Sequence, residues 1–235
     1  MQIADRKNGM EAHRTHRAGW LRAAVLGSND GLVSTASLMI GIVSAGKNDL
    51  VLTAGVAAIV AGAMSMAVGE YVSVKSQTDI EKSDREMEIR QLADDPTGEL
   101  EELTQIYQSR GISRGLAEQV AKELHRHDAL GAHLRDELGQ HEATKARPMQ
   151  AAIASALSFT AGGLVPFLGA FAPTLGGKAL SIIATTFIGL IIAGIISAKT
   201  AGAGIGRTTL RIVIGGALGM SITALVGQIA NLSGI

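Results

Sequence analysis

The chain has 235 residues, 21 basic and 21 acidic side chains and no cysteine, which excludes a disulfide framework and any thiolate metal site. Hydrophobic residues make up 47% of it, yet aromatics only 3%, while glycine reaches 29 residues. Helices of this composition must pack through small faces rather than large rings.

The balanced charge hides a partition. Residues 76–147 hold 16 acidic and 10 basic side chains, a net of −6. From Pro148 onward there is no acidic residue, and the basic ones are Lys178, Lys199, Arg207 and Arg211. This pattern predicts an all-α membrane protein of five transmembrane helices with a helical cytoplasmic insert between the second and third. Its parts are an N-terminal arm (1–18), the first two spans (19–75), an acidic insert (76–147) and the last three spans (148–235).

In chain order, the arm is polar and lacks the apolar core of a cleaved signal peptide. The expected spans are Gly19–Ala45, Leu50–Val74, Met149–Pro173, Leu180–Ala198 and Thr208–Leu232. Their connections alternate between rich and poor in Lys and Arg. That alternation places the arm and the insert in the cytoplasm and the C-terminus outside.

The first span is uncharged from Ala23 to Gly46 except for Asp30. About 20 apolar residues cross a bilayer, and a charge near the centre of such a helix costs roughly 2.5–3.5 kcal/mol. A cost of that size marks a pathway, a proton relay or a cation site. The plainer reading is a carboxylate that caps a broken helix or bonds a nearby serine.

The second span runs antiparallel to the first, so depths can be matched. Counted from Trp20 and from Ser76, Asp30 and Met66 both lie ten residues deep, about 15 Å at 1.5 Å per residue. Glu70 lies one turn above Met66, on the way in. A thioether beside a carboxylate favours softer cations than Mg²⁺ or Ca²⁺. Taken singly, Met66 reads equally as a packing residue and Glu70 as a solvated interfacial charge.

In the insert, the second span is expected to continue as a helix to about Leu92, where the run Asp94–Gly98 ends it. A second insert helix covers about Gly98–Gln108, with Leu100, Leu103 and Tyr107 as its apolar stripe. Residues 110–112 form a turn. Further helices follow at about Arg114–His125 and Asp128–Leu138, closed by Gly139. Three of these helices carry acidic or imidazole side chains: Glu81, Asp84, Glu86 and Glu88 on the first, Glu99, Glu101 and Glu102 on the second with Glu99 and Glu102 at i, i+3, and His133 and Glu137 at i, i+4 on the last. They could converge on a metal ion, or they could simply form a solvated charged surface. His13, His16, His125, His127 and His141 read as surface residues. The pairs Gly27/Gly31 and Gly215/Gly219 have helix-packing spacing. No phosphate-binding loop, catalytic triad or nucleic-acid arm is present in the sequence, so neither an enzyme nor a nucleic-acid partner is expected.

Three stretches, Trp20–Ser34, Ala61–Val74 and Gln150–Phe159, resemble the vacuolar iron transporter family, and the resemblance extends over nearly the whole chain. It implies a homodimer that moves Fe²⁺, and also Mn²⁺, out of the cytosol in exchange for protons. The metal is then a transported substrate, with no permanently bound cofactor. The family's pathway aspartate, methionine and entrance glutamate fall on Asp30, Met66 and Glu70. Its insert glutamates fall on Glu88, Glu99, Glu102 and Glu137. Gln91 stands where a further glutamate is expected, and His133 with Leu134 where some members have methionines. The rival reading is a membrane-tethered metal sensor or buffer without transport. Without targeting extensions, a bacterial-type plasma membrane is expected, or a vacuolar membrane in a eukaryotic host.

Overall fold

The structure, a computed structural model, describes residues 18–140, 146–171 and 177–233. Among them are seven helices and no strand: α1 (Ala18–Ser44), α2 (Val51–Asp94), α3 (Pro96–Ser109), α4 (Arg114–Asp136), α5 (Pro148–Gly169), α6 (Lys178–Ala201) and α7 (Ile205–Leu232). The arm with His13 and His16, residue His141, and Pro173 at the end of the third expected span lie outside the described residues. The chain divides into two compact units. One comprises Arg17–Ser73 with Pro148–Ile235, and the other is built on Val74–Arg147.

In the first unit, α2, α5, α6 and α7 are long and apolar enough to cross a membrane. The 27-residue α1 is long enough, but Ser28, Asn29, Asp30, Ser34, Thr35 and Ser37 dilute its apolar character. The large aliphatic side chains point outward, among them Leu157, Leu168, Ile188, Ile196, Leu218 and Leu225. Small and polar ones point inward, including Thr35, Ser155, Ser181 and Thr186. This is inside-out relative to a water-soluble bundle. It follows from lipid being as apolar as leucine, which leaves close van der Waals packing to hold the helices together.

The packing is closest between α1 and α5. A Cβ built on Gly27 would lie 2.5 Å from the carbonyl oxygen of Ser155. On Gly31 it would strike the carbonyl oxygen of Phe159, and on Gly162 that of Ser28. These neighbours are backbone atoms, which cannot swing aside. In α7 the working glycines are Gly216 and Gly219, which meet Leu190 and Val33, and Gly227, which meets the Gly41 carbonyl. Gly215, expected to pair with Gly219, faces open space. A spacing of four found small residues there without identifying the buried face.

The membrane half of α2 packs differently. Its Gly62 is covered by the Phe159 ring, and its Gly55 by Phe167 and Met39. Side chains rather than backbone therefore set the distance between α2 and its neighbours.

The second unit has its own small core of Leu103, Ala121 and Ala132, flanked by Leu100, Tyr107 and Leu124. The expected apolar stripe of α3 is therefore its buried side. Asp95 caps α3 by accepting from the Gly98 amide at 2.9 Å. Gly111 makes the following turn at φ +91°. The two expected helices after it form one element, α4, broken at Asp128 (φ −160°, ψ 85°). Asp128 accepts from the Gly131 amide at 3.0 Å and so starts the second half as an N-cap. Gly139 ends that half at φ +64°.

The seam makes a direct prediction. Gly→Ala in a helix ordinarily gains up to about 1 kcal/mol, but overpacking costs roughly 1–3 kcal/mol. Gly31→Ala is expected to lower the melting temperature of the detergent-purified protein, while Gly215→Ala leaves it unchanged or raises it.

Candidate metal centre

Four of the five expected insert ligands meet in the second unit. Glu88 comes from α2, Glu99 from the first turn of α3, and His133 and Glu137 from the second half of α4 and its cap. His133 Nδ1 lies 3.0 Å from Glu88 Oε1, 3.1 Å from Glu137 Oε2 and 3.6 Å from Glu99 Oε2. The His133 side chain is 0% exposed, Glu88 3%, Glu99 9% and Glu137 28%. The cluster is thus sealed on three sides and open at Glu137. Glu102, on the same helix as Glu99, is exposed and stays outside the cluster, as does the exposed Gln91.

A hydrogen count exposes the deficit in this arrangement. Nδ1 carries at most one hydrogen. Glu137 Oε2 is placed to bond with it. Glu88 Oε1 and Glu99 Oε2 are buried without a hydrogen-bond partner, and so is His133 Nε2. An orphaned buried polar atom costs about 1–3 kcal/mol, and more if charged. Either protons or a cation must offset this. Burial first, then the negative charges of Glu137, Glu99 and Glu102, push Glu88 up to about 7, against a partial offset from His133. Glu99 is raised as well, by burial and then by Glu102. Glu88, Glu99 and His133 present one oxygen or nitrogen each within 4.8 Å of one another, a spacing that can hold one ion. Carboxylate oxygens with one imidazole suit first-row divalent metals.

Two features escaped the sequence. His125, expected on the surface, is half-buried, with an unpartnered Nδ1 and its ring edge-on to that of His133 at 6.1 Å between centroids. The break at Asp128 lies between the two histidines, so helical periodicity could not connect them. Burial, and next the neighbouring His133, lowers the pKa of His125. The second feature is a brace around Asp136. It accepts from Tyr107 Oη (2.9 Å), Arg110 Nη1 (2.8 Å) and Arg135 Nη2 (2.6 Å), while Arg110 Nη2 also donates to its carbonyl (2.7 Å). Burial alone would raise the Asp136 pKa, but these bonds hold it below the usual value. The brace fixes the turn that presents His133 and Glu137.

In the first unit, Asp30 and Met66 line one open cleft of about 300 Å³ together with Ser34, Ser65, Gly62 and Phe159. The depth match between the first two helices therefore brings these two residues to one cavity. The Ser34 hydroxyl donates back to the Asp30 carbonyl at 2.5 Å. Asp30 is exposed on this chain's surface and caps no break, since α1 is continuous through it. Glu70 is half-buried on α2 and does not line the cleft.

The VIT family model matches residues 21–228 of the chain. A vacuolar iron transporter of Acanthamoeba castellanii is 43% identical, over 91% of this chain and 80% of its own length. The vacuolar iron transporter homolog 1 of Oryza sativa subsp. japonica is 38% identical over 93% of this chain and 77% of its own. The chain belongs to the VIT family. The match begins within α1 and ends within α7, so it takes in both the cleft and the carboxylate cluster. VIT relatives are named as transporters, and the protein is not an enzyme.

The raised Glu88 sets a sign for the metal-free second unit. Its pKa in the folded chain, about 7, exceeds its ordinary value of 4.5. The proton it holds therefore favours the folded form fully below about 4.5, and this contribution is lost as pH rises through about 7. Amide hydrogen exchange in the full chain, corrected for intrinsic rates, is expected to show weaker protection of α3 and α4 at pH 8 than at pH 5. Glu88→Gln is expected to flatten that dependence.

Proposed function

We propose that the protein exports a divalent metal ion, Fe²⁺ first and Mn²⁺ second, from the cytosol in exchange for protons. The observation that carries this reading is the pairing of two cation-seeking sites in one chain. One is the buried cluster of Glu88, Glu99, His133 and Glu137; the other is the cleft that Asp30 and Met66 both line. The iron transporter names of the relatives support the choice of ion. A nitrogen donor and a thioether also bind Fe²⁺ more strongly than Mn²⁺, by the general order of affinities.

In this reading α1 is a fifth span alongside α2, α5, α6 and α7. The arm and insert are cytoplasmic, in a bacterial-type plasma membrane or in a vacuolar membrane. The insert, with Glu102 at its rim, gathers metal from the cytosol. Glu70 receives the ion, and Asp30 with Met66 passes it across. Protons return on the same carboxylates, because each must give up its proton to bind metal and regain it on release. A second copy of the chain closes the pathway. The uncovered side of Asp30 and the exposed α2 face of Val56, Val60, Met64 and Val68 support a homodimer. A sensor or buffer would need the insert alone and gives no reason to place Asp30 in an apolar helix.

The test is Fe²⁺ flux into proteoliposomes under an imposed pH gradient. Native protein is expected to give gradient-dependent flux. Asp30→Ala is expected to cut it about tenfold or more, the effect of losing a charged contact worth roughly 1.5–3 kcal/mol. Binding without flux in the native chain would replace the exporter by the sensor or buffer.

A further inference from the structure

The carboxylate cluster uses one face of the His133 ring, and the other face is unexplained. Nδ1 looks toward Glu88, Glu99 and Glu137. Nε2 is buried and has no partner. The neighbouring ring, His125, also has a buried nitrogen without a partner, its Nδ1. The two rings stand edge to face, 87° apart in plane, with centroids 6.1 Å apart. Each unpartnered nitrogen thus belongs to one of a pair of adjacent imidazoles.

We propose that His125 is a positioning residue for the metal centre, its Nδ1 accepting the hydrogen that His133 carries on Nε2 when Nδ1 binds the ion. This rests on the reading that the insert binds a divalent metal. His133 Nδ1 lies 3.1 Å from Glu137 Oε2, so a hydrogen carried on Nδ1 is bonded there. Metal needs the Nδ1 lone pair, so an imidazole that binds the ion through Nδ1 carries its hydrogen on Nε2. That N–H points away from the carboxylates and needs an acceptor. A neutral His125 with its hydrogen on Nε2 offers a lone pair at Nδ1, and a direct bond draws the nitrogens to about 3 Å. Metal-ligating histidines generally donate their second N–H in this way, and loss of the acceptor typically costs about 10–100-fold in affinity. Two other acidic groups of the insert do not serve. Glu102 is exposed, and Asp136 is committed to Tyr107, Arg110 and Arg135.

Two substitutions separate this role from simple packing. Asparagine places an acceptor oxygen where histidine has Nδ1. Phenylalanine keeps a ring against His133 but offers no acceptor. The full-length protein in detergent is titrated with Co²⁺, whose visible absorption reports the nitrogen ligand, using native chain, His125→Asn, His125→Phe and His133→Ala. We expect His125→Phe to weaken Co²⁺ binding about 10–100-fold and His125→Asn to stay within about threefold of native, the hydrogen bond being retained. A packing role predicts the reverse order, with phenylalanine tolerated and asparagine damaging. That reverse order, or equal effects of the two, would overturn the assignment of His125 while leaving the metal site standing. Loss of the cobalt spectrum in His133→Ala is expected in either case. Failure of the native chain to bind Co²⁺ would overturn the metal reading itself, and the role of His125 with it.

Discussion

Backbone contact between α1 and α5 is the constraint on which the membrane unit depends. Gly27 and Gly31 on one helix and Gly162 on the other leave no room for a Cβ against carbonyl oxygens. In lipid such contact replaces the hydrophobic drive that would hold a soluble bundle together. It also fixes the rotation of α1. With Gly31 turned into α5, the next residue back, Asp30, falls about 100° around the helix, given 3.6 residues per turn. That turn is enough to free the carboxylate from the seam and set it on the cleft. Polar Asp30 is therefore placed by its apolar, side-chain-free neighbours. The cleft itself exists because α2 does not pack by glycine on backbone. The Phe159 ring stands between Gly62 and the bundle, and the space beside it is the cavity shared with Met66.

The insert obeys a different constraint, an imbalance of hydrogens. Three carboxylates surround one imidazole nitrogen that has at most one hydrogen to give. A structural salt bridge would be expected to satisfy its oxygens, and this cluster leaves two of them and one nitrogen buried and bare. Burial and mutual repulsion raise the pKa of both Glu88 and Glu99, so each keeps its proton to a higher pH than a free carboxylate does. The surrounding structure must then hold the cluster together against repulsion. It does so from outside, through the braced Asp136 turn and the small core of Leu103, Ala121 and Ala132.

Much of this was legible in the chain, for local reasons. Helix ends were set by residues whose chemistry acts over three or four positions: Asp95, Gly111, Asp128 and Gly139. The pairs Glu99/Glu102 and His133/Glu137 could be put on shared faces by spacing alone. Which member of a face is buried could not. Glu102 and Glu99 each directly precede a stripe residue, yet Glu99 sits in the capped first turn of α3 among the other cluster residues and Glu102 is exposed. The same limit misplaced Gly215, one residue from the contact made by Gly216. His125 was misjudged because its partner lies across a helix break, and the Asp136 brace joins residues 26 and 29 positions apart. Nothing periodic links such pairs.

The two candidate sites share a chemical design, and the proposed function gives that design a reason. Each pairs carboxylate oxygen with a donor softer than oxygen: the imidazole of His133 in one, the thioether of Met66 in the other. Such a mixture discriminates against Mg²⁺ and Ca²⁺, the most abundant competitors, while admitting first-row transition ions. A transport site must also let go. A closed set of four strong ligands would hold its ion as a structural zinc site does. Here one edge of the cluster, Glu137, stays accessible, and Glu88 changes protonation near neutral pH. In the exporter reading, a proton arriving at Glu88 competes with the ion for the same carboxylate. On that reading, selectivity comes from donor type and release comes from proton competition. Both can be tuned at a site whose burial keeps its carboxylates reluctant to stay charged.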